Sequence, residues 1–267
     1  MRILSLGAGV QSSTLALMIA HGEVPMVDAA IFADTGWEPK KVYTWLDWLE
    51  KQLPFPVYRV AAGNLRNDII AGTNSTGQTL QTFRSVPWHM LKPNGETAMG
   101  MRQCTSEYKI KPVHRKVREL LGYAPRKRIP AGATDMLMGI SLDEIFRMKP
   151  SWHKWIVHQW PLIDAGMARH DCLTWMGRKG YPLPPKSSCI GCPFHSNEEW
   201  RSIKADPEAW EDAVMLDKLI RNVGKTMKSQ QFMHRDRVPL DEVDLSTAAD
   251  HGQIDLFNNE CEGMCGI

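Results

Sequence analysis

The sequence predicts an α/β fold built on a parallel sheet, followed by a smaller helical part that carries cysteines. Two observations lead to this prediction. The N-terminal part of the chain alternates between short apolar runs and amphipathic helical patterns, as βαβ units do. A glycine-rich turn, GAGVQSS, separates the first apolar run from the first helical pattern. Parallel strands joined by right-handed crossover helices satisfy both observations.

The predicted elements follow in a regular order before the pattern breaks. They are a strand at 2–6, a helix at 12–21, a strand at 27–32, a helix at 40–53 and a strand at 57–60. Glycine, threonine, asparagine and proline then dominate residues 72–103, and a loop of this length is either functional or mobile.

Regular patterns return in the second half of the chain. They predict a basic amphipathic helix at 111–121, strands at 136–140 and 156–160, and helices at 167–176 and 207–223. From Asp244 the chain is polar and weakly patterned. We therefore predict three units, an α/β domain at 1–165, a helical metal-binding region at 166–243 and a flexible tail at 244–267.

Composition narrows the class of protein. A chain of 267 residues with 43% hydrophobic content can bury a large core, and a net charge of +2 requires no particular partner. The sequence has no apolar run long enough for a membrane span and no signal-peptide pattern, so we expect a cytoplasmic protein with no membrane partner. Disulfides are rare in that compartment, and the six cysteines then point to metal binding or sulfur chemistry.

The opening loop has the features of an anion-binding site. Backbone N–H groups at Gly7 and Gly9, with Ser12 and Ser13 at the start of a helix, could approach a phosphate closely. The loop is not a Walker A motif, because its lysine is missing. A plain strand-to-helix turn is the alternative. Asp34, after the second strand, is expected at the same edge of the sheet, where it could bind a ribose or a metal, or cap its own turn.

Cys189 and Cys192 form a CxxC pair, whose two sulfurs can bind one metal ion or cluster. By itself this spacing leaves zinc, an iron–sulfur cluster and a redox disulfide open. A thioredoxin-like site does not suit the context, because the pair follows a proline-rich loop late in the chain.

Several segments together resemble a known family. GAGVQS at 7–12 resembles the SGGxDS loop of the PP-loop superfamily (adenine-nucleotide α-hydrolase-like), with Gly7, Ala8 and Gln11 in place of Ser, Gly and Asp. ADTG at 33–36 resembles the DTG stretch of the phosphoadenosine-phosphosulfate (PAPS) reductase family. Further similar segments are RQCT at 102–105, YKIKP at 108–112, GIS at 139–141 with Asp143, Glu144 and Arg147, and WPL at 160–162. The likeness covers about residues 1–205 and is strongest to a phage and prophage subgroup.

The resemblance implies a Rossmann-like HUP fold, with helices on both faces of a twisted sheet. It also implies an adenine-nucleotide site for ATP, adenylyl sulfate or PAPS, with Mg as a further cofactor. The residues expected at that site are Ser5, Gly7, Gly9, Gln11, Ser12, Ser13, Asp34, Thr35, Gly36, Lys109 and Arg147.

The same resemblance groups the cysteines. It makes Cys104 the distant partner of Cys189 and Cys192, with Cys172 or, less favoured, His195 as a fourth ligand. Four ligands would resemble the iron–sulfur reductases, and three would leave one iron of a [4Fe–4S] cluster open, as in some tRNA thiolases. Zinc is the alternative metal. Cys172 could instead be a small buried apolar residue.

The C-terminal ECEGMCG resembles the ECG-like segment that holds the nucleophile of PAPS and adenylyl-sulfate reductases. Cys261 and Cys265 are therefore the candidate catalytic residues, which could close as a disulfide. A frayed end with incidental thiols, or extra metal ligands, are the alternatives.

These observations favour an enzyme of sulfur chemistry. It would be either a sulfurtransferase that adenylates an acceptor or a PAPS or adenylyl-sulfate reductase. The basic segment from Arg102 to Arg118 suits nucleotide phosphates, a nucleic acid acceptor such as tRNA or DNA, or only solvent. A thiol reductant or a sulfur donor is the further partner. The rival hypothesis is a nucleotide- or nucleic-acid-binding protein with a structural zinc and no sulfur chemistry.

Overall fold

The structure is a computed structural model that describes residues 1–73, 77, 86–221, 229–247 and 249–252. Its main sheet consists of β1 (Arg2–Leu6), β2 (Ala29–Asp34), β3 (Val57–Ala61), β6 (Thr134–Met138) and β7 (Ile156–Gln159). All neighbouring strands are parallel, in the order β3-β2-β1-β6-β7. The order changes direction between β1 and β6, and ligands of open α/β sheets bind at such a switch point, outside the carboxyl ends of the strands.

Helices connect these strands. They are α1 (Val10–Ala20), α2 (Lys40–Glu50), α3 (Leu65–Ala71), α4 (Lys111–Leu120), α5 (Pro161–Asp164), α6 (Arg169–Arg178), α7 (Asn197–Lys204) and α8 (Pro207–Ile220). A π-helix at Thr105–Ile110 runs directly into α4, a 3-10 helix at Leu142–Arg147 follows β6, and another spans Ala249–His251. Within the described ranges, none of the helices combines the length and apolarity needed to cross a membrane.

The sheet buries both of its faces. Leu4 and Phe32 point to one face and pack in a core with residues of α1, α2 and α6. Their neighbours Ile3 and Ile31 point to the other face and pack with Val113 and other residues of α4. Alternate strand residues point to opposite faces, so two apolar faces require two layers of helices. The predicted α/β fold with helices on both faces is confirmed.

A smaller antiparallel sheet lies beside the main one. Its strands are β4 (His89–Leu91), β5 (Thr97–Met99) and β8 (Gln230–Phe232), in the order β5-β4-β8. A separate hydrophobic core contains Trp88 and Tyr108 from one half of the chain, and Trp200 and Leu216 from the other. This core combines residues from both sides of position 165, and the division into three units stays a prediction.

The structure differs from the sequence-based prediction at two places. The stretch 72–103 was predicted to be a loop, yet it contains β4 and β5, because β4 pairs with β8 from the far end of the chain. The sequence pattern also gave no helix at α3. This helix is short and begins where the side chain of Asn64 accepts a hydrogen bond from the N–H of Asn67 at 3.0 Å.

Candidate functional site

A large cleft opens at the carboxyl edge of the parallel sheet. Its volume is about 660 Å³, which lies in the range of small-molecule sites. Ser5 and Leu6 line it from β1, Ala33 from β2 and Met138 from β6. The cleft therefore occupies the position at which α/β folds of this kind bind their ligands.

The polar wall of this cleft is basic. Among the described residues that line it, none is Asp or Glu, whereas the cationic side chains are those of Arg102, Lys109, Lys111, Arg147 and Lys149. His114, His153 and His158 belong to the same wall. The rings of His114 and His153 are 5.0 Å apart. Burial lowers the pKa of His114 to about 4, and the charges of His153 and His158 add to this effect. Such a lining suits a ligand with several negative charges.

The glycine-rich loop runs from β1 into α1 along this edge. Ala8 adopts the left-handed conformation with φ of 58°, and Gly9 occupies the position before the helix. Gly7 lines the cleft. The Ser12 hydroxyl accepts a hydrogen bond from the N–H of Gly7 at 3.2 Å and donates to the carbonyl of Gly9 at 3.4 Å. Ser12 therefore fixes the shape of the loop through its side chain.

Gln11, which stands where the related loop has Asp, points away from the cleft into the protein. Its amide donates to the Ser141 hydroxyl at 3.3 Å and to Glu144 Oε2 at 3.2 Å. Glu144 in turn binds Arg147, with Nη1 to Oε1 at 2.5 Å. Gln11 thus connects the loop to the 3-10 helix that carries Arg147 to the cleft.

Two buried contacts hold the start of α1 in place. The indole N–H of Trp45 donates to the Ser13 hydroxyl at 3.0 Å. Gly139, just after β6, lies so close that a Cβ there would be 2.7 Å from the Cα of Ser12. The predicted residues Ser12 and Ser13 therefore support the loop, and their side chains are already engaged within the protein.

The turn after β2 is shaped by its own aspartate. Asp34 Oδ1 accepts hydrogen bonds from the N–H of Gly36 at 2.7 Å and from the hydroxyl of Tyr43 at 2.8 Å. Gly36 has a φ of 71°, and a Cβ at this position would lie 2.5 Å from Asn64 Nδ2. Burial and the hydrogen bond to Asp34 raise the pKa of Tyr43. Asp34 thus caps this turn, and its binding of a ribose or a metal stays a prediction.

Thr35 brings this turn into contact with the CxxC pair. Its hydroxyl donates to Glu38 Oε1 at 3.3 Å and lies 3.1 Å from the Sγ of Cys189. Lys109 approaches the same carboxylate, with its Nζ 3.6 Å from Glu38 Oε1. The side chain of Glu38 is fully buried. The turn, the lysine and the first cysteine of the pair therefore meet at one buried carboxylate.

Three cysteines line a second, smaller cavity. Cys104, Cys189 and Cys192 contribute to its wall, and its volume is about 30 Å³. Arg102 and Lys109 line both this cavity and the main cleft. The structure thus brings together the three cysteines that the resemblance grouped, next to the basic cleft. We call this space the cysteine cavity.

His195 holds the turn of the CxxC pair. Its Nε2 lies 2.9 Å from the carbonyl oxygen of Cys189 and 3.1 Å from that of Ile190. Carbonyls only accept hydrogen bonds, so Nε2 carries the proton. The Nδ1 atom lies 3.5 Å from Glu199 Oε2. His195 therefore binds the backbone of the turn, which argues against its use as a metal ligand.

Cys172 lies elsewhere. It is fully buried in the core formed by α1, α2 and the main sheet, and it does not line the cysteine cavity. Burial raises the pKa of its thiol to about 12. This environment is that of a small buried apolar residue, the alternative that the sequence left open.

The cysteine cavity offers the donor types of a thiolate-bound metal, because zinc and iron–sulfur clusters both bind cysteine sulfur. With a volume of about 30 Å³, it is much smaller than the main cleft. In the part of the chain that the structure describes, no group of three or more His, Cys, Asp or Glu side chains is arranged to hold a metal ion. Metal binding at this cavity and the identity of the metal both stay predictions.

Cys261 and Cys265 lie outside the described residues. Their catalytic role stays a prediction. The sequence pattern did not predict four further residues that line the cleft, namely Phe146, Trp152, His153 and His158. For the first three, a signal was present as FRMKPSWHKW at 146–155, in which aromatic and basic residues are interspersed.

The chain is similar in structure to a solved protein, although its sequence matches no family model. No protein-family model matches the chain, and no curated protein matches it. One match is the crystal structure of phosphoadenylyl-sulfate (PAPS) reductase from Candida auris, a phosphate complex. The aligned region covers 68% of this chain and 74% of the reductase chain. The identity is 13% and the TM-score 0.45.

Proposed function

We propose that this chain binds an adenine nucleotide, either ATP or an adenylyl sulfate such as PAPS, and acts on sulfur beside it. One observation carries the proposal. Arg102 and Lys109 line both the basic cleft and the cysteine cavity. A phosphate or sulfate bound by these two side chains would lie next to the thiols.

The loop and the cations would share the task of holding the anion. Backbone N–H groups at the start of α1, next to Gly7 and Gly9, provide donors and a positive helix end. Arg102, Lys109 and Lys111 add charge from the lining of the cleft. The turn at 34–36, which directly follows the cleft-lining Ala33, would border the nucleoside. A Mg²⁺ ion would enter with the phosphates of ATP, which are its usual ligands.

Two reactions suit such a site. In a reduction, the Cys261 thiolate would attack the sulfur of adenylyl sulfate or PAPS, breaking the S–O bond to the phosphate and releasing the nucleotide. Cys265 would then attack the Cys261 sulfur, which forms a disulfide and releases sulfite, and an external thiol would restore both cysteines. In a thiolation, an acceptor oxygen would attack ATP and release pyrophosphate, and a sulfur nucleophile would then displace AMP.

The chain's own residues have defined tasks in either reaction. Lys109 and Arg102 would neutralise the charge that develops on the leaving oxygen. This electrostatic stabilisation is stronger in a site that excludes water. Cys104, Cys189 and Cys192 would hold the metal, and His195 would keep the CxxC turn in position for them. An iron–sulfur centre there would shape the electrostatic field beside the reacting sulfur, whereas a zinc ion would support the structure.

The test uses the full chain, purified without oxygen. It is incubated with PAPS, adenylyl sulfate or ATP, and both sulfite and pyrophosphate are measured. Sulfite supports reduction, and pyrophosphate released only with an added acceptor supports thiolation. Lys109→Met should abolish either product, whereas the matched change at the exposed Lys51 should leave it unchanged. A colourless protein that contains one zinc and forms neither product would favour the rival, a binding protein with a structural metal.

A further inference from the structure

The mouth of the main cleft carries exposed aromatic side chains. Trp152 is 99% exposed and Phe146 is 68% exposed, yet both line the cleft. Met148 between them is 42% exposed. We call the segment 146–155 the aromatic rim. Large apolar side chains that are contiguous and exposed mark interaction sites more often than chance placement does.

The rim is also positively charged. Arg147, Lys149 and Lys154 are interspersed with its aromatic residues. Lys149 and Lys154 are exposed to solvent. Their charge continues that of the cleft, because Lys149 also lines it. An approaching anion therefore meets positive charge from the rim to the floor of the cleft.

The two acidic residues next to the rim face other protein groups. Asp143 Oδ1 accepts a hydrogen bond from the backbone N–H of Arg169 at 3.0 Å. Glu144 binds Arg147 and Gln11, as described above. Glu144 is thus paired with Arg147, and the exposed cations of the rim are Lys149 and Lys154.

Exposed aromatic faces and mobile cations together match one kind of polymer. Single-stranded nucleic acid offers unpaired bases that stack on aromatic rings and phosphates that pair with lysine. A duplex hides its base faces, so it would use only the cations. A second copy of this chain would cover the aromatic residues and also bring the rim's cations against each other.

We propose that the aromatic rim binds single-stranded nucleic acid, with bases stacked on Trp152 and Phe146 and phosphates paired with Lys149 and Lys154. The strand would reach the cleft at its mouth, where the rim and the basic wall join. This inference is independent of the nucleotide proposal, because it concerns the rim and is tested with oligonucleotides alone.

The test measures fluorescence anisotropy of labelled single-stranded RNA and DNA, each about 20 nucleotides long, against the full chain. Trp152→Ala should weaken binding roughly 5- to 150-fold, the effect of losing one stacked base. Leu183→Ala is the matched control, since Leu183 is 63% exposed and lies away from the rim segment in the sequence. Because Trp152 is almost fully exposed, its replacement should leave the melting temperature unchanged.

The lysines provide a second, independent readout. Lys149→Ala and Lys154→Ala should each reduce the slope of log K against log salt by about 0.7, the value for one phosphate contact on a single strand. RNA and DNA arms tell the two polymers apart. The tighter of the two identifies the natural ligand class.

Three outcomes would overturn the inference. Binding that Trp152→Ala leaves unchanged would remove the stacking role. Duplex DNA that binds as tightly as the single strand would reduce the rim to a nonspecific basic surface. Sedimentation that reveals a dimer dissolved by Trp152→Ala, without oligonucleotide binding, would make the rim an interface between two copies. ATP binding, measured separately on the unchanged chain, decides the nucleotide proposal on its own.

Discussion

Trp37 lies against Gly191 so closely that a Cβ at position 191 would be 2.1 Å from Cη2 of the indole. Trp37 directly follows the turn after β2, and Gly191 lies between the two cysteines of the CxxC pair. The N–H of Ile190 also donates to the carbonyl oxygen of Trp37 at 2.8 Å. The segment after β2 and the CxxC turn are therefore held against each other where both line the cysteine cavity.

Gly191→Ala should push the CxxC turn away from the segment after β2. The indole is only 3% exposed and has little room to move, so the added methyl group must displace the turn. Overpacking of this kind costs about 1–3 kcal/mol of stability, and we expect the melting temperature and the metal content to fall together. Gly177→Ala is the control, because nothing lies within 4 Å of its added Cβ and alanine favours its helix. Equal melting temperatures for both variants would contradict the contact.

Gly139→Ala tests the support of the glycine-rich loop. Its Cβ would lie 2.7–2.9 Å from the Cα, N and Cβ atoms of Ser12, and backbone atoms yield less readily than the end of a side chain. The start of α1 should shift, with a loss of about 1–3 kcal/mol of stability and weaker nucleotide binding. Chemical denaturation and a nucleotide titration measure the two effects. A variant that is destabilised but binds normally would show that the loop position does not govern binding.

Local patterns were sufficient to predict the strands of the central sheet, because short apolar runs alternate with longer helical segments between β1 and β3, and α2 has its apolar residues on one face. The grouping of Cys104 with Cys189 and Cys192 came from family resemblance, since their approach depends on how the whole chain folds. The pairing of β4 with β8 could not be read from short segments for the same reason. The capping of the turn by Asp34 and the use of Gln11 as an internal link needed side-chain geometry, which sequence periodicity does not contain.

The lowered pKa of His114 predicts that the protein loses stability in acid. Its folded pKa is about 4, below its usual value of 6.5, because burial and neighbouring histidines disfavour the charged form. The unfolded chain therefore binds a proton more readily between these values, and stability falls as pH decreases from about 6.5 to about 4. Protonation of His114 lowers the free energy of unfolding by up to about 3 kcal/mol over this range, given its folded pKa of about 4.

Urea denaturation across this pH range measures the effect. His114→Gln keeps a polar side chain without the titrating proton, so its stability should change less with pH than that of the unchanged chain. His21→Gln is a suitable control on another part of the surface. An identical pH dependence for His114→Gln and the unchanged chain would show that another group causes the acid sensitivity.

The cysteines differ in their expected effect on metal content. Cys104→Ser should remove most of the bound zinc or iron, because it deletes one of the three sulfurs of the cysteine cavity. Cys172→Ser should retain the metal, because Cys172 lies in the core formed by α1, α2 and the main sheet and does not line the cysteine cavity. Burial also raises the pKa of its thiol. Metal analysis of protein purified without oxygen makes the comparison. Full loss of metal from Cys172→Ser in a folded protein would restore Cys172 as a ligand.

The most direct test of the account is the binding of adenine nucleotides to the cleft that shares Arg102 and Lys109 with the cysteine cavity. Calorimetric titration should find that ATP, adenylyl sulfate or PAPS binds at least about tenfold more tightly than adenosine, since charged hydrogen bonds of about 1.5–3 kcal/mol each depend on the anionic groups. Lys109→Met should remove most of that difference. Equal affinity for adenosine and the charged nucleotides, or binding that Lys109→Met leaves unchanged, would contradict the account.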